Sequence, residues 1–334
     1  MAKIVLAQGT SHSPQLSIAV ESWPKFEQRD RNYNLLLDRA GTQQDFDDLL
    51  SQRGDRLAGE LTPEVWAARK ARCDEALDHL QGDLAAADPD VVVIIGDDQK
   101  ELLDVDNLPS LLIYRGAEVL ATGRTSPDKL ARQRDNEVRQ LAEWAYSPEV
   151  DGHYPVDQAL ADHFLGALGE ANFDLAQSSR NPRGNGVGHA FAFPFERIFD
   201  RPRPMVPVMV NTYYPPNQPT ARRCVDLGLA LAAAIGDYGD DDTKVAVLAS
   251  GGLSHHLIDE ALDREVLTAM ESGDLDRLRA LPAHSLDGGT SEIRNWVTVA
   301  GMLEGLQHSW TVYEPCYRTL AGTGCGMAFA SWTA

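Results

Sequence analysis

Short, nearly unbroken apolar runs rich in Val, Ile and Leu recur along the chain: KIVLAQG at 3–9, DVVVIIGDD at 90–98, SLLIYRG at 110–116, MVPVMVNTYY at 205–214 and KVAVLASGG at 244–252. Runs of this length without polar alternation predict strands of a sheet covered on both faces. Between them, apolar positions fall at helical spacing over 62–87, 156–171, 220–238 and 291–306. Strands alternating with helices predict an α/β fold, three layers deep (αβα) around a central mixed sheet. A polar stretch from about 21 to 59 interrupts the alternation, so the expectation is a single domain over 1–334 with a helical insertion at about 21–87.

The strand ends carry the polarity that the strands lack. The first run passes into SHSP, the second into GDDQ, the fourth into NTYYPP and the fifth into SGGLSHH. In open α/β sheets such carboxyl ends converge on the ligand crevice. A Gly-rich stretch, NPRGNGVGHAFAFP at 181–194, adds a further imidazole, His189.

Composition narrows the class. The chain has 50 acidic against 30 basic residues and a formal charge of -20, a balance that disfavours nucleic acid and anionic membrane surfaces as partners. Four cysteines without CxxC spacing point to a reducing compartment. No run is long enough to span a membrane, and the N-terminal apolar run is too short for a signal peptide; the expected location is cytoplasmic. A homodimer is the default assembly.

His12 and Glu292 are the sharpest candidates for chemistry, with His255, His256 and His189 behind them. An imidazole on a strand-end loop among small neighbours is free to ligate a metal or carry a proton. The plainer alternative for each is a histidine bonded to a nearby carbonyl. Glu292 opens a helix, where a carboxylate ordinarily answers the helix dipole or forms half of a capping box. Asp97 and Asp98 either close a turn or offer a hard cation two oxygens. No HExxH or CxxC spacing is present, so any metal site is assembled from distant segments.

Taken together and in order, GTSHSP, PDVVVIIGDDQ, VGHAFAFPFERIF, VNTYYPPNQPTARRC, VAVLASGGLSHH and SEIRNWVTVAGML resemble the class III extradiol ring-cleaving dioxygenases. This is the family of the catalytic subunit of protocatechuate 4,5-dioxygenase, and the chain looks most similar to its single-chain 3-O-methylgallate dioxygenase-like members. The resemblance implies a non-haem Fe(II) site of two histidines and one carboxylate, with open positions for a catechol substrate and O2. By this matching His12 and Glu292 are metal ligands, His255 is the acid/base, and His189 is the supporting histidine. Tyr213, Tyr214 and Asn211 would line the substrate pocket. The family's second histidine ligand falls where this chain has Gln99, leaving Gln99, Asp98 or Asp97 to complete the site. Arg222, Arg223, Arg183 and Arg294 are candidates for a substrate carboxylate, and the 21–87 segment for a built-in lid.

Two other readings stand beside the dioxygenase. One is a non-catalytic, partner-binding relative of the same fold, suggested by the missing histidine. The other is a divalent-metal hydrolase built on Asp97, Asp98 and His12.

Overall fold

A computed structural model of the chain describes residues 1–334 except 34, 105, 134, 135, 182, 183, 185 and 241. Eleven strands are formed among the described residues: β1 Lys3–Thr10, β2 Val91–Gly96, β3 Leu111–Tyr114, β4 Glu118–Ala121, β5 Gly152–Pro155, β6 Ala176–Ser178, β7 Met205–Val210, β8 Lys244–Ser250, β9 His255–Leu257, β10 Gln307–Tyr317 and β11 Thr323–Thr333. The main sheet runs β10-β11-β1-β8-β2-β7-β3-β6, with β9 paired to β11, while β4 and β5 form a separate hairpin. Strands β1, β8, β2 and β7 are mutually parallel, and β3 and β11 join them antiparallel, so the sheet is mixed as expected.

Alternate residues of one strand feed two separate cores, which makes the molecule three layers thick. Val91, Val93 and Ile95 pack with the helices Gln158–Glu170, Ala221–Gly236 and Ile293–Ala300. Val92 and Ile94 face the other way, onto the helices Pro63–Ala87 and His189–Arg197. All six residues of β2 are buried, which explains why its sequence shows no polar alternation. Within the segment 21–87, the helix Pro63–Ala87 buries Leu77, Leu80 and Leu84 against the sheet. The preceding stretch crosses the site side of the molecule. It is held by a small cluster of Leu36, Phe46 and Leu49 with Leu257 and Ala321, and by Asp30, whose carboxylate takes two 2.7 Å bonds from Arg318. Among the described residues no helix is long and apolar enough to cross a membrane.

Two close approaches fix the elements that carry the site. A Cβ at Gly9 would stand 2.3 Å from the Trp296 ring, so the glycine that opens GTSHSP makes room for the helix following Glu292. A Cβ at Gly228 would stand 1.9 Å from the Thr298 carbonyl, where the helices Ala221–Gly236 and Ile293–Ala300 cross. Replacing Gly228 by alanine is therefore expected to destabilise the protein by about 1–3 kcal/mol, the usual range for overpacking. An unchanged urea midpoint would mean that the two helices separate freely.

Candidate metal centre and cavity

Because β1, β8, β2 and β7 are parallel, their carboxyl ends share one edge of the sheet, and the polar segments meet there. His12 lies two residues beyond β1 and Asp97 directly follows β2. Glu292 sits at the N-cap of the helix Ile293–Ala300, but its carboxylate makes no capping bond. One oxygen accepts the Gly252 backbone N–H at 2.7 Å and lies 3.3 Å from His12 Nε2. The other accepts from the Gln99 amide at 3.1 Å and lies 3.7 Å from His255 Nε2. The side chain is thus turned inward to two imidazoles, and the dipole-answering role that a helix start suggests is not the one it fills.

His12, Asp97, His189 and Glu292 each offer a ligand atom, and the four atoms lie within 4.8 Å of one another. His12 Nδ1 is 2.9 Å from Ser250 Oγ, whereas its buried Nε2 has no hydrogen-bond partner. Burial lowers the His12 pKa, with His189 and His255 adding to the effect against Glu292, so the imidazole is neutral and fit to donate a lone pair. Burial also opposes charge on Glu292, but His255 and His12 outweigh it and hold the carboxyl well below the usual range. Asp97 is pushed upward, by burial first and by the charge of Glu292 second. Two buried carboxylates that resist joint ionisation, beside an imidazole with an unused nitrogen, form a donor set that a divalent cation would satisfy.

His189 is oriented by a residue that the sequence did not single out. Glu101 stands 2.9 Å from His189 Nδ1 and also accepts the His189 backbone N–H, leaving Nε2 free to face the cluster. Burial opposes protonation of His189, yet Glu101 raises its pKa to about 9. The rings of His189 and His12 meet edge to face, 4.6 Å between centroids.

The three residues after β2 point in different directions. Asp98 accepts the backbone N–H groups of Leu102 and Leu103 at 2.7 and 3.1 Å, which ties off the following turn and takes its carboxylate out of the cluster. Gln99 lies between the two acids, its amide 3.2 Å from Asp97 and 3.1 Å from Glu292. Of these three residues Asp97 is the one whose carboxylate joins His12, His189 and Glu292 in the cluster.

Above the cluster opens a cavity of about 320 Å³, lined in part by His12, Gln99, His189, Tyr213, His255 and Glu292. His255 Nδ1 donates to the Leu253 carbonyl at 3.3 Å, which turns its Nε2 to the side of Glu292. His255 is held from behind: the preceding Ser254 gives its N–H and hydroxyl to buried Asp263 at 2.8 and 2.6 Å. His256, with φ of 67°, lines the same cavity and stacks on Tyr33 at 3.8 Å. Tyr213 shares a hydroxyl–hydroxyl hydrogen bond with Tyr33. Phe26, Arg29 and Tyr33, all from the segment after β1, complete the roof.

Tyr214 and Asn211 lie outside the cavity lining. Asn211 donates to the Tyr214 carbonyl and accepts its N–H, shaping the loop that presents Tyr213. Three of the arginines suggested by the sequence are elsewhere too. Arg294 is buried and donates to the carbonyls of Pro219, Thr212 and Leu286; Arg223 covers Phe173; Arg222 is exposed. Arg183 is outside the described residues. The arginines that do line the cavity are Arg29, Arg139 and Arg318.

Carboxylates and imidazoles that could hold a metal ion thus converge at the end of the parallel strands of an α/β protein. Residues 68–323 match the family described as the catalytic LigB subunit of aromatic ring-opening dioxygenase, and the chain belongs to that family. It is 36% identical over 114 residues to the gallate dioxygenase of Pseudomonas putida, which covers 33% of this chain and 31% of that protein. It is 28% identical over 187 residues to a 2,3-dihydroxyphenylpropionate/2,3-dihydroxicinnamic acid 1,2-dioxygenase of Azotobacter vinelandii, covering 55% of this chain and 50% of the relative. A protein of the same description from Xanthobacter autotrophicus is 26% identical over 206 residues, or 62% of this chain and 55% of the relative. The chain thus spans about half or less of the curated relatives it matches.

Proposed function

We propose that the protein is an Fe(II)-dependent extradiol dioxygenase that opens the ring of a substituted catechol, of the gallate, methylgallate or protocatechuate type, with O2 as co-substrate. The observation that carries the reading is the convergence of His12, Asp97, His189 and Glu292 beneath a cavity that His255 faces, in a chain of a ring-opening family. His12, Glu292 and Asp97 would hold the metal, with His189 beside them. Bound iron would supply a Lewis-acid and redox centre that acidifies the ring hydroxyls and activates oxygen.

The rest is work for the chain's own groups. His255 Nε2, its other nitrogen committed to Leu253, accepts a proton from a ring hydroxyl and returns it later. Glu292, 3.7 Å away, stabilises the imidazolium in between. Tyr213, fixed through Tyr33, presents its ring and hydroxyl to the substrate. The segment over Phe26 and Tyr33 acts as a built-in roof that limits water at the site. Four free cysteines fit a cytoplasmic setting.

The test is oxygen uptake by protein purified anaerobically and loaded with Fe(II), against a panel of catechols. The expected result is uptake with a yellow ring-opened product, lost to a chelator and restored by Fe(II) with reductant. Turnover without oxygen would favour a hydrolase, and the absence of both bound metal and uptake would favour the partner-binding relative.

A further inference from the structure

Three guanidinium groups gather at the cavity, and the protein answers two of them. Arg318 is buried, gives both oxygens of Asp30 a 2.7 Å bond and donates to Gln15 Oε1 at 2.9 Å. Arg139 lies 3.7 Å from Glu101 and 3.6 Å from Glu143 and covers the Tyr146 ring at 5.6 Å. Arg29 differs. It lines the cavity at its solvent-facing mouth, and among the described residues its side chain makes no hydrogen bond or ion pair. The adjacent carboxylate, Asp30, is already taken by Arg318 and by the Thr323 hydroxyl at 2.6 Å. Arg318 and Arg139 both lie within electrostatic reach of Arg29. A cation near two others, whose nearby carboxylate Asp30 is bonded to Arg318, and which holds no hydrogen bond or ion pair of its own, leaves a favourable place for a ligand anion.

The remaining surface says what kind of ligand carries that anion. Phe26, Tyr33 and Tyr213 give the upper cavity flat aromatic walls, and the floor holds the acids and imidazoles of the metal cluster. The cavity is therefore polarised, with a cation at the mouth and metal-binding groups at the base. A planar ring bearing metal-binding hydroxyls on one side and a carboxylate on the other matches both ends.

We propose that Arg29 is the carboxylate anchor of this cavity and makes the site selective for catechols bearing a carboxylate over their esters or unsubstituted rings. The proposal rests on the dioxygenase reading for the identity of the ring, and on Arg29 alone for the selectivity. Guanidinium geometry suits a carboxylate through two parallel N–H bonds.

Calorimetric titration of the iron-loaded protein under argon, with gallic acid and with its methyl ester, reads the selectivity without turnover. The two ligands share the ring hydroxyls and differ in the charge and one methyl group. Wild type should bind the acid at least about 10-fold tighter, and Arg29→Gln should weaken the acid by about 10- to 100-fold, the range for a hydrogen bond to a charged group, while the ester changes little. Arg29→Lys should recover part of the loss, and added salt should shrink the wild-type preference. Because the Arg29 side chain makes no hydrogen bond or ion pair among the described residues, the thermal midpoint of Arg29→Gln should stay close to wild type. No preference in wild type, or equal weakening of acid and ester in Arg29→Gln, overturns the anchor. Oxygen uptake on the same samples separates the two claims: selective binding without uptake sinks the dioxygenase and keeps the anchor, and uptake without selectivity does the reverse.

Discussion

Replacing Glu292 by alanine is expected to empty the metal site and abolish activity. Glu292 is the hub of the cluster: one carboxylate faces His12 and His255, takes the Gln99 amide and accepts the Gly252 N–H. Its removal deletes at once a ligand and the carboxylate that both imidazoles face. Metal affinity should fall by more than the roughly 10- to 100-fold that loss of a ligand's supporting partner produces. The buried Gly252 N–H also loses its acceptor, which should lower stability by about 1–3 kcal/mol. Glu292→Gln separates the two effects, because the amide oxygen can still take the Gly252 bond while the charge is gone. Elemental analysis after anaerobic Fe(II) loading reads the outcome. Stoichiometric, equally tight iron in Glu292→Ala would remove Glu292 from the ligand set.

Replacing His255 by phenylalanine should leave the metal in place and cut turnover by about 10²- to 10⁴-fold, the usual contribution of a positioned acid or base. The ring is fixed by its own bond to Leu253 and by the clamp of Ser254 on Asp263, so the fold does not depend on its Nε2. Phenylalanine keeps the ring's bulk and removes the proton carrier together with the long Leu253 bond, leaving the Ser254 clamp to hold the segment. Iron content, substrate affinity and the rate of the chemical step should therefore separate, with the first two near wild type and the last collapsed. Full activity in His255→Phe would assign the proton transfers to another group, with His189 next in line.

Much of the sheet was legible because its central strands are buried on both faces, and such strands write themselves as unbroken Val, Ile and Leu. The C-terminal hairpin was not. Strand β11 reads TGCGMAFASWT, and its small residues give no β-branched signal, although all but the last are buried. The site followed the same division. His12, His189, His255 and Glu292 sit on strand ends or helix starts that the pattern exposed, and they meet in space. Asp97, Asp98 and Gln99 are consecutive, so their fates depend on turn geometry alone: one enters the cluster, one caps a turn, one bridges two acids. Glu101 and Arg29 were invisible for a different reason. Glu101 acts through its contact with His189, far along the chain, Arg29 through a cavity that distant segments assemble, and neither stands in a motif that marks it.

The central claim is that the cluster at the ends of β1 and β2 holds a metal at which a catechol meets oxygen. Its most direct test is a single turnover of the iron-loaded protein with gallate under ¹⁸O₂, with the product trapped at once and weighed by mass spectrometry. The account predicts a ring-opened product that has gained both atoms of the labelled oxygen. A product that carries no label, or gallate recovered intact from protein with a full complement of iron, would contradict it.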